Sequence, residues 1–395
     1  MTASSSLTPS APAADLVERA RGLFGFMRER ARRTDDERHL LPEMVEAFTD
    51  AGLVRTLVPA RYGGEGLALT DAMDVTIEVA KAYGSMGWVG SFWSDHPHWV
   101  GFYPEEAQNE VWADGPDARI ATSFVPVGKV DRRDGGFRLS GEWAWASGVG
   151  FSSWVMLGGL VPRDGAAPQN RLFLVPVSEV TVVDTWFNAG LRGTGSDNVV
   201  ADAVFVPEHR TLVMETVREG RAPGAAVNPD PHFRAPLMTH AGYAMVGPAI
   251  GIARGVIEDW AQSARAKAHS YTREQLAAAL PMQMQLAESA ALVDTAEMLV
   301  RGCLDRVQSG DSLQVEDRVR HRRDISFSAR LLTRAVDELM QSAGASALRD
   351  ESPIQRGWRD VRTIACHVML NFNAAAENYG RLALGLPLNP RDPFF

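Results

Sequence analysis

The feature that most constrains the fold of this chain is a change of apolar period along its length. From about residue 15 to 117, apolar residues recur at the spacing of amphipathic helices, as at Leu40, Leu41, Met44, Val45 and Phe48. From about 118 to 215, short apolar runs alternate with Gly, Asp and Pro, which is typical of strands joined by tight turns. Helical spacing returns at about 236 and continues to residue 395, after a Pro-, Gly- and Ala-containing segment at 216–235 that we expect to be a flexible loop.

The middle segment contains three runs that predict strands, FRL at 137–139, WVML at 154–157 and RLFLV at 171–175. Asp134, Gly135 and Gly136 predict a hairpin turn, because glycine tolerates a positive φ there. The chain therefore reads as mainly α with a central β unit, in the order helical domain, β unit, helical bundle. Residues 1–14 are rich in Ser, Ala and Pro and predict a disordered tail.

Charge and composition exclude several classes of function. A net charge of -9 offers no basic stripe for nucleic acid, and no apolar run reaches the ~18 residues that span a bilayer. Two cysteines, Cys303 and Cys366, argue against a disulfide framework, so we expect a cytoplasmic protein. No residue set has convincing metal-ligand spacing, since His321 to Asp324 reads as a charged helix face. The chain lacks a GxGxxG dinucleotide motif, so direct use of NADH is not indicated.

Four motifs, in order along the chain, resemble the acyl-CoA dehydrogenase superfamily. They are LVRTLVPARYGG at 53–64, GEWAWASG at 141–148, LRGTGS at 191–196 and QRGWRD at 355–360. Each motif alone is weak, but four in the right order over most of the chain identify the fold. The resemblance implies an N-terminal helical domain at 15–117, a central β-barrel at 118–215, a connecting loop at 216–235 and a C-terminal four-helix bundle at 236–395.

The sequence departs from the dehydrogenases at their catalytic base. That glutamate commonly lies eight residues after the aspartate of the RD helix, here Asp360, and position 368 is a valine. Removal of an acidic C–H proton needs a carboxylate-type base, so the usual dehydrogenation machinery is missing. The neighbouring His367 instead resembles the oxygenase branch of the superfamily, the two-component monooxygenases of phenols, indoles, polyketide aromatics and thiophenes.

Two further segments resemble that oxygenase branch. SDHPHW at 94–99, followed by PEEAQ at 104–108, is similar to its H.W…PeeAQ segment. The histidine-to-tryptophan spacing differs by one residue from the family pattern, and counting back from Pro104 favours His96 over His98. ATSFVP at 121–126 is similar to its GSF.P strand and brings in Ser123.

The resemblance implies a role for each matched residue. The cofactors are reduced flavin (FADH2 or FMNH2) and O2, which form a flavin hydroperoxide. A separate NAD(P)H:flavin reductase supplies the reduced flavin. His367, His96 and Ser123 face the substrate as catalytic residues, and histidine suits proton transfer near neutral pH. The cofactor-binding positions are Trp145, Ser147, Gly148, Thr194, Ser196 and Arg265.

Ordinary structural roles remain open for the same residues. A histidine in a helix often packs or caps, Ser147 before Gly148 is common turn chemistry, and Ser123 can be a plain strand hydroxyl. Arg265 lies near the family position that reaches a flavin phosphate across a subunit interface, and a solvated charge explains it equally well. The apolar positions of the C-terminal helices, for example Leu331, Leu332, Ala335, Val336, Leu339 and Met340, predict a further buried face against a partner. The resemblance implies a homotetramer.

Three alternatives to aromatic hydroxylation stay open on the sequence. The first is an acyl-CoA dehydrogenase-type flavoenzyme whose base has moved, which predicts tightly bound oxidised flavin. The second is an N- or S-oxygenase of the same fold. The third is a non-catalytic flavin carrier, against which the joint presence of His96, Ser123, Ser147 and His367 argues. The sequence leaves open the substrate, the regiochemistry and the choice between FAD and FMN. Within the branch, natural-product biosynthesis is the expected context.

Overall fold

The computed structural model describes residues 10–268, 273 and 275–392 of the chain. The N-terminal part is helical, as its apolar spacing predicts. Its helices are α1 (Ala11–Gly22), α2 (Phe24–Glu37), α3 (Pro42–Asp50), α4 (Leu69–Ala82), α5 (Gly84–Val100) and α6 (Glu105–Val111). A loop with two short 3-10 turns occupies 53–64, where proline and glycine predict one. Among the described residues, no helix combines the length and apolar character needed to cross a membrane.

The central part is one seven-stranded sheet with the strand order β5-β6-β2-β1-β3-β4-β7. The strands are β1 (Ile120–Arg133), β2 (Gly136–Ala146), β3 (Trp154–Arg163), β4 (Ala166–Pro176), β5 (Thr181–Val183), β6 (Asp197–Pro207) and β7 (Thr211–Val213). All three predicted strand runs lie in β2, β3 and β4. The predicted hairpin is confirmed, because Arg133 pairs with Gly136 and Gly135 has φ +74°. The sheet has its own apolar core, which includes Phe137, Trp143 and Phe173.

The C-terminal part packs four long helices into the predicted bundle. These are α8 (Tyr243–Ala266), α9 (Leu280–Gln308), α10 (Val315–Ser342) and α11 (Pro353–Ala365); the short α7 (Met214–Arg218) precedes them and α12 (Phe372–Ala383) follows. Helix α5 packs between this bundle, the other N-terminal helices and β1, and all 17 of its residues are buried. A helix buried on every side can carry functional side chains on several faces at once. Helices on both sides of a central sheet along the chain confirm the predicted fold class, mainly α with a central β unit.

Three segments differ from their sequence-based expectations. Helix α1 begins at Ala11, within the segment predicted as a tail, and its Ala13 is fully buried; residues 1–9 lie outside the described part. The segment 216–235 packs against the end of α5, where Asn228 Nδ2 donates to the carbonyl of Gly101 at 2.8 Å. The charged stretch 321–324 is not a solvated helix face, because Arg322 is buried and pairs with Asp392 at 2.7 Å.

Candidate active site

Ser147 follows the last residue of β2 and stands at the centre of a hydrogen-bonded group. The indole nitrogen of Trp88, on α5, donates to Ser147 Oγ at 3.0 Å. Ser147 Oγ also lies 2.8 Å from Ser196 Oγ, which in turn lies 2.7 Å from Thr194 Oγ1. Ser147 is half-buried, whereas Ser196 and Thr194 are 2% and 1% exposed. The three predicted hydroxyl groups are therefore brought together, with only Ser147 open to a ligand.

The segment 191–196 is held in place by the RD helix. Leu191 and Gly195 both have left-handed backbone conformations, with φ +51° and +52°. The backbone N–H of Leu191 donates to Asp360 Oδ1, on α11, at 2.6 Å. Burial, and then the negative charge of Asp35, raises the pKa of Asp360. Gly148 N–H donates to the carbonyl of Thr194 at 3.1 Å. Because Asp360 anchors this segment through Leu191, helix α11 sets the position of the turn that contains Ser147 and Gly148, here called the serine turn.

The indole of Trp145, two residues before Ser147, is unusually exposed. Its backbone has φ +67°, and its side chain is 66% exposed, although tryptophan is normally well buried. The strand pairing is interrupted here, since the β2 register against β6 shifts between Trp143 and Ala146. Such bulges re-aim side chains next to active sites. Gly148 follows at φ +69°, and a Cβ there would lie 2.5 Å from Val89, so only glycine fits.

His367 lies where the sequence predicts a catalytic residue, just after α11. Its ring centroid is 6.2 Å from that of Trp88, the donor to Ser147. The backbone N–H of Met369 donates to His367 Nδ1 at 3.2 Å, so the neutral ring carries its proton on Nε2. Burial lowers the pKa of His367 to about 4. Val368, at the position of the dehydrogenase base, is 53% exposed and offers no proton-accepting atom.

The two candidate histidines of α5 face different neighbours. His96 lies against β1, where its Nδ1 donates to the carbonyl of Ile120 at 2.5 Å and its ring stacks on Phe92 at 5.1 Å. Burial lowers the pKa of His96, so the neutral ring has Nε2 left as an acceptor. His98 instead packs against His232 and His240, at 4.8 and 5.6 Å between ring centroids. His96 is therefore the histidine that shares a face of α5 with Trp88.

Ser123 lies at an irregular point of β1, opposite the turn that carries Trp145. Its Oγ donates to the carbonyl of Ala144 at 2.9 Å, across a region where β1 and β2 no longer pair directly. The register of β1 against β3 also shifts immediately after Ser123. The lone pairs of this hydroxyl remain able to accept a hydrogen bond. Ser123 is 6% exposed, which allows only a small contact with a ligand.

An aromatic stripe on α5 was missed by the sequence analysis. Trp88, Phe92 and Trp99 lie on the face that carries His96, and Trp99 stacks near Phe124 of β1 at 6.3 Å between centroids. The signal that identifies them is their spacing of four and seven residues on one helix face. It could not be recognised as functional because α5 is buried on every face, so its spacing does not distinguish a ligand-facing side from a packed one. The stripe surrounds His96 with rings suited to a planar ligand.

An open groove of about 760 Å³ lies beside His367, between α10 and the segment that follows α11. This volume is in the range of small-molecule sites. Its lining includes Arg330, Thr333, Asp337, Cys366, His367 and Phe372. His367 therefore lies between this groove on one side and the Trp88–Ser147 pair on the other.

Arg265 is not brought to this group of side chains by any contact within the described residues. It is exposed in the last turn of α8, where its carbonyl oxygen accepts a hydrogen bond from Gln275 Nε2 at 2.8 Å. A second cluster, His39, Asp184 and Asp197, has ligand atoms close enough for a metal ion. Asp184 already pairs with Arg38 at 2.5 Å, and this positive charge opposes binding of a cation.

Comparison with known proteins agrees with this geometry. Two regions match domain families, "Acyl-CoA dehydrogenase, N-terminal domain" over residues 17–112 and "Acyl-CoA dehydrogenase, C-terminal domain" over residues 243–372. A pigment production hydroxylase of Rhodococcus sp. (strain ATCC 21145) is 33% identical over 377 residues, covering 95% of this chain and 97% of that protein. The oxygenase component of an FADH(2)-dependent resorcinol hydroxylase from Rhizobium sp. (strain MTP-10005) is 32% identical and covers 95% of each chain.

Solved structures give the same relationship. The HsaA monooxygenase from Mycobacterium tuberculosis superposes with a TM-score of 0.89 at 32% identity, over 95% of this chain and 98% of that chain. XiaF from Streptomyces sp., solved in complex with FADH2 and glycerol, superposes with a TM-score of 0.87 at 27% identity, over 95% and 96% of the two chains. The chain therefore belongs to the acyl-CoA dehydrogenase superfamily, among the oxygenase components of flavin-dependent monooxygenases.

Proposed function

We propose that this protein uses reduced flavin and O2 to hydroxylate a small aromatic or heteroaromatic substrate, as the oxygenase component of a two-component monooxygenase. The observation that carries the proposal is His367, a neutral imidazole beside the Trp88–Ser147 pair and one residue before the position of the dehydrogenase base, which is Val368 here. Relatives support the aromatic substrate class. They include a p-hydroxyphenylacetate 3-hydroxylase oxygenase component from Acinetobacter baumannii and an indole-3-acetate monooxygenase from Pseudomonas putida, at 26% and 27% identity.

Several residues fit a bound flavin. Ser147 offers a half-buried hydroxyl fixed by Trp88, and Trp145 offers a 66% exposed indole that a planar ring would cover. Gly148 keeps the turn free of side-chain atoms, and Thr194 and Ser196 hold Ser147 from behind. We assign these five residues to the flavin ring and keep Arg265 for a phosphate group reached across a subunit interface. When bound, reduced flavin activates O2 and supplies the electrons for oxygen transfer.

Two neutral histidines with opposite tautomers provide the proton chemistry in this proposal. His96 Nε2 accepts a hydrogen bond from a substrate O–H or N–H, which makes the aromatic ring more electron-rich. His367 Nε2–H donates a hydrogen bond from the opposite side. Ser123 accepts a second hydrogen bond from the substrate, since its own proton is used by Ala144. The aromatic stripe of Trp88, Phe92 and Trp99 packs the substrate ring and excludes water.

The partners follow from the same proposal. A separate NAD(P)H:flavin reductase delivers the reduced flavin, as the name oxygenase component implies for the relatives. We also propose a homotetramer. The α10 residues expected to bind a partner, such as Leu332 and Val336, are buried within the chain itself. Support comes instead from exposed apolar side chains elsewhere, for example Met284 and Met298 on α9 and Leu384 after α12, at 64%, 73% and 78% exposure. The free thiols of Cys303 and Cys366 favour a cytoplasmic setting, and natural-product biosynthesis is the proposed context.

The test is a rapid-mixing experiment with reduced flavin. The protein is mixed anaerobically with reduced FAD or FMN, then with oxygenated buffer and a phenol or indole, while near-ultraviolet absorbance is followed. We expect a transient band before flavin reoxidation, and incorporation of ¹⁸O from ¹⁸O2 into the product by mass spectrometry. Ser147→Ala should shorten the lifetime of that band about tenfold, because the hydroxyl beside the flavin is lost.

The matched control is Ser152→Ala. Ser152 also accepts an indole N–H, from Trp93 at 3.1 Å, yet it is not bonded to Ser147, and its loss should leave the band intact. Immediate reoxidation without a band, in a protein that purifies yellow with tightly held oxidised flavin, would favour the dehydrogenase alternative.

A further inference from the structure

Three hydroxyl groups form an unbranched chain that ends at Ser147. Thr194 Oγ1 and Ser196 Oγ are 2.7 Å apart, and Ser196 Oγ and Ser147 Oγ are 2.8 Å apart. Each hydroxyl carries one hydrogen to donate and two lone pairs that accept. Thr194 and Ser196 are 1% and 2% exposed, so solvent cannot replace a missing partner. The three hydroxyl groups therefore have two possible arrangements, which differ in the direction of hydrogen-bond donation.

In the first arrangement every donor points away from the ligand side. Thr194 Oγ1–H donates to the carbonyl of Leu191 at 3.0 Å, Ser196 donates to Thr194, and Ser147 donates to Ser196. Trp88 Nε1–H occupies one lone pair of Ser147. The second lone pair of Ser147 is then free, and Ser147 can only accept a hydrogen bond from a ligand.

In the second arrangement every donor is reversed. Thr194 donates to Ser196, Ser196 donates to Ser147, and both lone pairs of Ser147 are occupied, one of them by Trp88. Ser147 can now only donate to a ligand. The carbonyl of Leu191 loses Thr194 Oγ1–H but keeps Trp186 Nε1–H at 2.8 Å and Thr194 N–H at 3.2 Å. Reversal therefore leaves no buried group without a hydrogen bond.

The two arrangements match the two oxidation states of a flavin. Nitrogen N5 of the ring carries a hydrogen in reduced flavin and only a lone pair in oxidised flavin. We propose that Thr194 and Ser196 form a reversible hydroxyl relay, which lets Ser147 accept from N5–H when the flavin is reduced and donate to N5 when it is oxidised. This inference rests on the proposed function, since it requires Ser147 to lie at N5. Thr194 and Ser196 are positioning residues in this scheme, because they act only through Ser147.

Removal of either relay hydroxyl should weaken the binding of reduced flavin and leave the binding of oxidised flavin unchanged. In Ser196→Ala, Ser147 still donates to N5 of oxidised flavin. With reduced flavin, Ser147 accepts from N5–H and its own hydroxyl hydrogen has no buried acceptor. In Thr194→Val, Ser196 still donates to Ser147 with oxidised flavin, but with reduced flavin the hydrogen of Ser196 has no acceptor. Both variants should weaken reduced-flavin binding about three- to tenfold relative to oxidised-flavin binding, the effect of one lost hydrogen bond.

The experiment measures the Kd of each variant for oxidised and for reduced flavin, by fluorescence titration in air and under anaerobic conditions. The midpoint potential of the bound flavin gives a second readout. A tenfold rise in the ratio of reduced to oxidised Kd equals a potential about 30 mV lower for a two-electron couple. Thr194→Ser, which keeps the hydroxyl, should restore the wild-type ratio. Ser152→Ala, which removes a neighbouring hydroxyl outside the relay, should leave the ratio of the two Kd values unchanged.

The outcomes separate the relay from the proposed function. Equal weakening of both oxidation states in Ser196→Ala and Thr194→Val, or no change in either, would overturn the relay while flavin-dependent hydroxylation still stood. A wild-type protein that binds neither form of flavin would overturn the proposed function and the relay together. A shift in the ratio that Thr194→Ser fails to restore would assign the effect to packing and reject the relay.

Discussion

At the scale of single residues, the site depends on imidazole rings kept neutral by burial. His367 has its Nδ1 occupied by the Met369 N–H, so protonation there must break a hydrogen bond as well as bury a charge. His96 has its Nδ1–H fixed on Ile120, which leaves Nε2 as the acceptor. His367 is thus a donor and His96 an acceptor at Nε2, because their Nδ1 atoms bind different backbone groups. A histidine that switched protonation near neutral pH would lose this division of roles.

The pH dependence of hydroxylation tests this assignment. The pKa of His367 is about 4, so the ring stays neutral from pH 8 down to about pH 5. We expect the rate of substrate hydroxylation to be flat from pH 6 to 8 and to fall below pH 5, because a proton on His367 Nδ1 breaks the Met369 hydrogen bond that orients the ring. The measurement is single-turnover product formation across this range, with the flavin concentration kept saturating.

The variant His367→Asn is the matched comparison. Its side-chain oxygen can still accept the Met369 N–H, while the Nε2–H donor is lost, so folding should be retained and hydroxylation should fall about 10²-fold. The acid limb should disappear with it. An acid limb that persists in His367→Asn would assign the titration to another group.

At the scale of elements, α5 connects the parts of the site. It supplies Trp88 to Ser147, His96 to β1 and the aromatic stripe to the substrate side, all from one buried helix. The order of helices and strands could be predicted because apolar period is a local property of the sequence. The partners of Ser147 could not, since Trp88 is 59 residues away along the chain and only packing brings them together. The buried 321–324 stretch was wrongly predicted for the same reason, because its charge is balanced by the distant Asp392.

Trp88→Phe tests the role of α5 as a support for the serine turn. Phenylalanine keeps an aromatic ring but lacks the indole N–H that donates to Ser147. Flavin binding should weaken about three- to tenfold, the value of one hydrogen bond, with little change in the unfolding midpoint. Trp93→Phe is the control on the same helix, since its N–H donates to Ser152 outside the relay. Equal losses of flavin affinity in both variants would indicate a general loosening of α5.

At the scale of the whole molecule, a second set of histidines lies buried where N- and C-terminal helices meet. This histidine cluster comprises His98 on α5, His232 and His240 in the segment before α8, and His321 on α10. Neither ring nitrogen of His98 has a hydrogen-bond partner within the described residues. Burial lowers the pKa of His232 to about 2 and lowers the pKa of His240 and His321 as well. The N- and C-terminal helices thus meet at a cluster in which His232, His240 and His321 resist protonation.

Acid should therefore destabilise the folded chain before its carboxylates titrate. Below about pH 6.5 the unfolded chain binds protons at His232, His240 and His321 and the folded chain does not, so the free energy of unfolding falls as pH falls. Each histidine with a lowered pKa contributes up to about 1.4 kcal/mol per pH unit. Urea unfolding at pH 7.5, 6.5 and 5.5 should show this dependence of unfolding free energy on pH. His240→Leu should reduce the slope by about the contribution of one histidine. Parallel loss of stability in wild type and variant would exclude His240 as a source of the slope.

The exposed indole of Trp145 has an optical consequence. The chain has ten tryptophans, and Trp145, at 66% exposure, is the one open to water while the other nine are buried or half-buried. Indoles in water emit at longer wavelengths than indoles in an apolar core, so the red edge of the protein's fluorescence comes mainly from this residue. A flavin ring lying over Trp145 would quench that edge first. The protein thus carries its own reporter of cofactor occupancy, which needs no attached dye.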